Sequence, residues 1–228
     1  MTGRDDLRHW QPLDFQPAAL LAGRAARLER LDFDRHAEAL HAANGTDTGM
    51  WRFMPYGPFP SFAAYRGWVA GASVSDDPTF YAIAGELGWS GVASYLRINR
   101  DDGVIEIGHI ALSPMLQRTV AATEAIHMMI DHAFDSGFRR VEWKCDAKNA
   151  PSRRAAERLG FTYEGTFRQH MIVRGANRDT AWFAILDEEW PDLHRAHRAW
   201  LDSSNFTEDG QQRRALSEMV AATRAPRT

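Results

Sequence analysis

Two segments of the chain carry residue types that move protons and hold phosphates. In the first, "IEIGHIALSPMLQRTVAATEA" (105–125), Glu106 lies inside an apolar strand pattern and His109 follows three residues later. A carboxylate drawn into an apolar site has its pKa raised, and imidazole titrates near neutrality, so either suits proton abstraction. In a regular strand the two point to opposite faces, whereas a bulge at Gly108 brings them together. The alternative at Gly108 is relief of crowding. Gln117, Arg118, Thr119, Val120, Ala121, Ala122 and Thr123 then lead towards a helix. A helix start offers unpaired N–H groups and partial positive charge, which suit a pyrophosphate, and Arg118 adds a cation for a phosphate. This stretch has no glycine, and valine tolerates only ordinary φ values, so such a cradle must draw on a regular first helical turn. The competing reading is a plain strand-to-helix connection.

In the second segment, "WKCDAKNAPSRRAAERLGFTYEGTFR" (143–168), Asn149 and Ser152 flank Pro151 at a helix start. Either is a good N-cap, and a cap at a pocket rim still offers its polar group. The aromatic loop "WRFMPYGPF" supplies Trp51, Phe53, Met54, Tyr56 and Phe59, which either line an acceptor pocket or pack beneath the loop. Cys145, the single cysteine, lies in an apolar strand and reads as buried and inert. His127 and His132 are five apart on a helix and lack ligand spacing, so no metal is assigned.

The elements that position these residues follow from pattern. With 228 residues, 44% hydrophobic and 25% charged, the chain is long enough for one well-buried core. A formal charge of -3 without basic blocks gives no footprint for nucleic acid. The polar start lacks a signal-peptide core, and no window approaches a membrane span; a cytoplasmic protein is expected. Asp32 or Asp34 begins a helix ending near Asn44-Gly45, and Ser61 begins another with Phe62, Tyr65 and Trp68 on one face. Three glycine-bounded strands follow between 79 and 114, then a helix from Thr123 to Gly137, a strand, the Asn149 helix, a hairpin turning at "RGANR", and a helix from Trp190. The strand-helix-strand unit over 104–146 is a crossover between parallel neighbours. The fold class is α/β (α+β): one domain with a mixed, mostly antiparallel twisted sheet and helices on both faces. Residues 1–18 read as an irregular leader, 19–190 as the domain, and 191–228 as a helix and polar tail.

The motifs Glu106-Ile107-Gly108, Gln117, Ala122, Thr123-Glu124-Ala125, Asn149, Ser152, Ala156, Leu159-Gly160-Phe161 and Glu164-Gly165 together resemble the GNAT superfamily of N-acyltransferases, in its ribosomal-protein N-acetyltransferase-like (RimJ/RimL-like) branch. The resemblance is strong over 103–186, looser over 20–100 and absent after about 190; Val120 and Arg118 stand where the family has glycine. It implies a splayed central strand pair, with the pantetheine arm pairing with backbone near Ile110 and Leu112. It also implies acetyl-CoA or another acyl-CoA as co-substrate, held by Gln117–Thr123, Asn149 and Ser152. Ser152 is implied as proton donor near the sulfur, Glu106 as first choice of base with His109 its rival, and Trp51, Met54, Tyr56 and Phe59 as lining for the amine substrate. The function so implied is direct acyl transfer to a primary amine of a protein N-terminus, amino acid or small molecule, with no nucleic acid, membrane or metal partner; a homodimer is compatible with exposed edge strands. The alternative is a non-catalytic acyl-CoA-binding or sensing module on the same fold.

Overall fold

A computed structural model describes residues 6–46 and 48–224. In chain order its strands are β1 (Leu20–Ala22), β2 (Arg27–Arg30), β3 (Thr79–Gly85), β4 (Gly88–Asn99), β5 (Val104–Leu112), β6 (Arg140–Asp146), β7 (Thr162–Val173) and β8 (Ala176–Leu186). The helices are α1 (Phe33–Asn44), α2 (Phe62–Ser73), α3 (Val120–Asp135), α4 (Ala150–Arg158), α5 (Trp190–Leu201) and α6 (Leu216–Thr223). One sheet runs in the order β1-β2-β3-β4-β5-β6-β8-β7, and β5–β6, joined by the α3 crossover, is its parallel pair.

That pair decides the shape of the molecule. β5 and β6 are in register only from Val104–Arg140 to Glu106–Glu142. Beyond Glu106 the two strands part, leaving the remainder of β5 without a ladder partner on that side. The expected splay is therefore present, and its free backbone groups face a cleft.

Each face of the sheet carries its own core. α3, α5 and α6 close one face over Tyr95, Ile105, Val141 and Phe183, while α1 and α2 close the other over Phe80, Ala82, Val92 and Ala111. Caps fix the helix starts: Asp32 accepts from the Arg35 N–H at 2.9 Å and Ser61 from the Ala64 N–H at 3.2 Å. No helix among the described residues is long and apolar enough to cross a membrane.

Three expectations need correction, on the start of α3, the hairpin turn and the tail. α3 begins at Val120, three residues before Thr123, because the Thr119 hydroxyl accepts from the Ala122 N–H at 3.1 Å and caps the helix there. The hairpin turns on Arg174 and Gly175 alone, both with positive φ (50° and 74°), as a two-residue turn between twisted strands requires. "RGANR" is thus mostly strand. The leader, though irregular, is anchored by Phe15, 1% exposed against Tyr95 and Phe138. The supposed polar tail contains α6, whose Leu216, Met219 and Val220 are buried in the larger core.

Candidate active site

The parting of β5 and β6 opens a cleft of about 1110 Å³ bounded by the start of α3, the start of α4, the aromatic loop and the β7–β8 hairpin. Gln117, Arg118, Val120, Ala122 and Thr123 line its α3 end. Val120 sits inside the first helical turn and Arg118 takes φ of 63°. Ordinary φ values therefore hold at Val120 but not throughout the loop, since the sharp turn into the helix falls two residues earlier. The Val120 and Ala121 N–H groups have no acceptor among the described residues. Gln117 folds back, its Nε2 donating to the Leu112 carbonyl at 2.8 Å, so that carbonyl already has a partner.

Glu124, one residue into the helix from Thr123, does structural work. Its carboxylate accepts from the Arg24, Ala25 and Ala26 N–H groups at 3.0, 2.5 and 2.8 Å. It ties the β1–β2 turn to the first turns of α3, and a Cβ on Gly23 would lie 2.5 Å from its Cδ.

α4 supplies the opposite wall. Asn149 caps it, accepting from the Ser152 N–H at 3.2 Å, and the Ser152 hydroxyl accepts from Trp143 Nε1 at 3.0 Å. Both residues line the cleft, so the cap and the rim coincide. Buried Cys145 lies against Ser152, and burial pushes its thiol up. Arg154 and Arg158, one helical turn apart, also line this end; Arg158 donates to Thr123 Oγ1 at 3.1 Å. Sequence reasoning passed over both arginines, although their i, i+4 spacing was visible.

The floor of the cleft is ionic. Glu106 is 3% exposed and meets Arg97 Nη1 at 2.6 Å and Lys144 Nζ at 3.1 Å. Lys144 also meets Glu142 at 2.7 Å and stands 3.7 Å over the Trp182 ring. Burial pushes the Glu106 carboxyl up, against the opposing pull of Lys144 and Arg97. Glu106 is thus a buried carboxylate paired with two cations. The lysine was legible: strand alternation puts Glu142 and Lys144 on one face of "VEWKC".

His109 lines the same cleft as Glu106 because β5 is bulged. Val92 pairs with Ala111 and Ser94 with Gly108, so His109 and Ile110 together face Ala93, and His109 takes φ of 51°. The extra residue follows Gly108, where a Cβ would lie 2.9 Å from Leu96, so Gly108 both abuts the bulge and relieves crowding. The His109 ring stacks on Tyr56 at 5.6 Å, with Nδ1 3.3 Å from its hydroxyl. Burial, with the fields of Arg97 and Arg178, pulls the imidazole down to about 4, so it is neutral at pH 7.

The aromatic loop divides in two. Phe53 and Met54, with Met50 and Pro55, line the cleft. Trp51 and Phe59, expected at the acceptor pocket, instead pack in the smaller core, Trp51 at 4% exposure. Tyr56 reaches the site only through His109. From the hairpin come Met171, Val173 and Arg178. Away from the cleft, His127, Asp131 and His194 gather with ligand atoms within 4.8 Å, a grouping across α3 and α5 that spacing on one helix did not reveal. Asp131 there also accepts from Trp190 Nε1 at 3.1 Å.

Residues 26–162 match the family model of the acetyltransferase (GNAT) domain. A GCN5-related N-acetyltransferase from Brucella melitensis is 42% identical and superposes with a TM-score of 0.92, covering 94% of this chain and all of that one. The uncharacterized N-acetyltransferase p20 of Bacillus licheniformis is 30% identical over 101 residues, 44% of this chain and 56% of that protein; the chain thus spans about half the length of that relative. The ribosomal L7/L12 α-N-protein acetyltransferase RimL shares the fold, with a TM-score of 0.64 at 22% identity over 73% of this chain and 93% of its own.

Proposed function

The chain belongs to the GNAT acetyltransferase family, and on that premise we propose that it is an acyl-CoA-dependent N-acyltransferase, with acetyl-CoA the default donor. The observation that carries this reading is the parting of β5 and β6 above Glu106, flanked by the starts of α3 and α4. The unpaired edge of β5 suits the amides of a pantetheine arm, as an exposed edge suits any added strand. The Val120 and Ala121 N–H groups, with Arg118, Arg154 and Arg158 around them, suit the pyrophosphate.

Transfer is direct. The neutral amine nitrogen attacks the thioester carbonyl carbon, the C–S bond breaks, and the sulfur leaves as a thiolate that takes one proton. The nitrogen loses one proton in exchange. Glu106 is the acceptor of that proton in this reading, its basicity supported by burial. His109, neutral and bonded to Tyr56, orients the amine. Ser152, placed beside the sulfur end in this reading, gives its hydroxyl proton to the thiolate and regains one through water from protonated Glu106. The acceptor is a primary amine of a protein N-terminus, an amino acid or a small molecule.

The test is thiol release from acetyl-CoA against a panel of primary amines. Amine-dependent release is expected. Binding of acetyl-CoA without release against any amine would leave a holding module in place of an enzyme.

A further inference from the structure

Among the described residues, Arg178 lines the cleft beside the ion-paired floor without a carboxylate of its own. β6 ends at Asp146, opposite Thr180 of β8, so Arg178 lies past the end of β6, paired across the hairpin with Met171. Its side chain lines the cleft together with Met54, Pro55, Met171 and Val173. It is half-buried, and its Nε is buried without a hydrogen-bond partner. No carboxylate pairs with it among the described residues. The nearest candidate by sequence, Asp179, is engaged with the Gln169 N–H at 2.7 Å and Asn177 Nδ2 at 2.9 Å. The other cations on the floor are matched: Arg97 by Glu106, and Lys144 by Glu106 and Glu142.

The guanidinium also has a definite place along the cleft. Its field reaches His109 on β5 and Cys145 on β6, the two lips of the splay. On the reading above that is the reacting end, where the hairpin and the aromatic loop line the cleft beside His109. A guanidinium presents Nε–H and Nη–H as a planar fork matched to a carboxylate, and a buried donor without a partner calls for one. An uncompensated cation there also disfavours an ammonium, helping an arriving amine to be neutral.

Resting on the acyltransferase reading above, we infer that Arg178 anchors a carboxylate carried by the acceptor, so that the enzyme acylates amino acids or other amines with a nearby anionic group. The same chemistry is offered by the far end of a dicarboxylic acyl group on the donor, and the experiment separates the two sources.

Free α-amino acids and their C-terminal amides are compared as acceptors with acetyl-CoA, for the wild type, Arg178→Met and Arg178→Lys. The wild type is expected to favour a free amino acid over its amide at least tenfold in kcat/KM. Arg178→Met raises KM for the free acid about tenfold and lowers kcat/KM for the amide by a much smaller factor, while Arg178→Lys recovers part of the loss on the acid. Equal use of acid and amide by the wild type, or an equal loss on both in Arg178→Met, overturns the inference. So does a preference for succinyl-CoA over acetyl-CoA with an uncharged amine that Arg178→Met abolishes, since the carboxylate then belongs to the donor. Should no amine be acylated, the acyltransferase reading fails while this inference still stands or falls by binding. Free amino acids must then raise the melting temperature of the CoA-saturated wild type more than their amides do, and must not do so in Arg178→Met.

Discussion

The two ends of the cleft are built in different ways. At the α3–α4 end the protein offers mostly backbone: helix starts fixed by Thr119 and Asn149, with arginines arranged around them. At the other end nearly everything is side chain: the Arg97–Glu106–Lys144–Glu142 ion pairs, neutral His109 on Tyr56, and Arg178. Backbone amides at a helix start keep their direction whatever side chains follow, so valine at 120 leaves that end's N–H groups in place. A side-chain cluster depends on each partner, so the acceptor end is where substitutions change chemistry and specificity.

That contrast can be broken most sharply at Glu106. Glu106→Gln removes the proposed base while keeping the shape, and kcat should fall on the order of 1000-fold, the middle of the range for general bases. CoA affinity, which belongs to the other end, should not change. A parallel loss of CoA affinity would mean that the two ends are one unit.

Glu124 tests the backbone end through stability. Glu124→Ala leaves three turn N–H groups at Arg24–Ala26 without their acceptor, and should cost about 3 kcal/mol by denaturant unfolding. An effect below about 1 kcal/mol would show that the β1–β2 turn does not hold α3 in place.

Acid supplies a gentler probe. Burial holds His109 and His127 down to about 4 and His197 to about 3, below the ordinary 6.5. Between those values the unfolded chain binds more protons than the folded one, so stability rises with pH across that window and is lost as pH falls through it. The melting temperature should therefore drop steadily below about pH 6.5, and His109→Asn should make that slope shallower. An unchanged slope would place the acid sensitivity with other groups.

The same contrast governs what could be read from the sequence. Caps, strand periodicity and the crossover are local or nearly so, and Asp32, Ser61 and Asn149 cap where the pattern places them. Of the motif residues, Ala122, Thr123, Asn149 and Ser152 line the cleft, while Glu124 turns away to the β1–β2 turn. The acceptor end escaped because its contents are set by tertiary pairing. Glu106 and the shared face of Glu142 and Lys144 were visible, but the meeting of Glu106 with Arg97 of β4 and Lys144 of β6 was not. Arg178 was hidden by a turn read as five residues that closes in two. Trp51 and Phe59 look like pocket lining in composition, yet their positions under the loop put them in the core. Arg154 and Arg158 needed only the helical spacing that was already on view.

The central claim is that the cleft binds coenzyme A through a regular helix start that needs no glycine. Calorimetric titration of coenzyme A into the wild type and Val120→Gly tests it most directly. Micromolar binding by the wild type is predicted, with no gain in Val120→Gly and a loss of roughly 0.4 kcal/mol in that variant's stability from the lower helix propensity of glycine. No binding by the wild type, or binding that appears only once glycine is restored at 120, would contradict it.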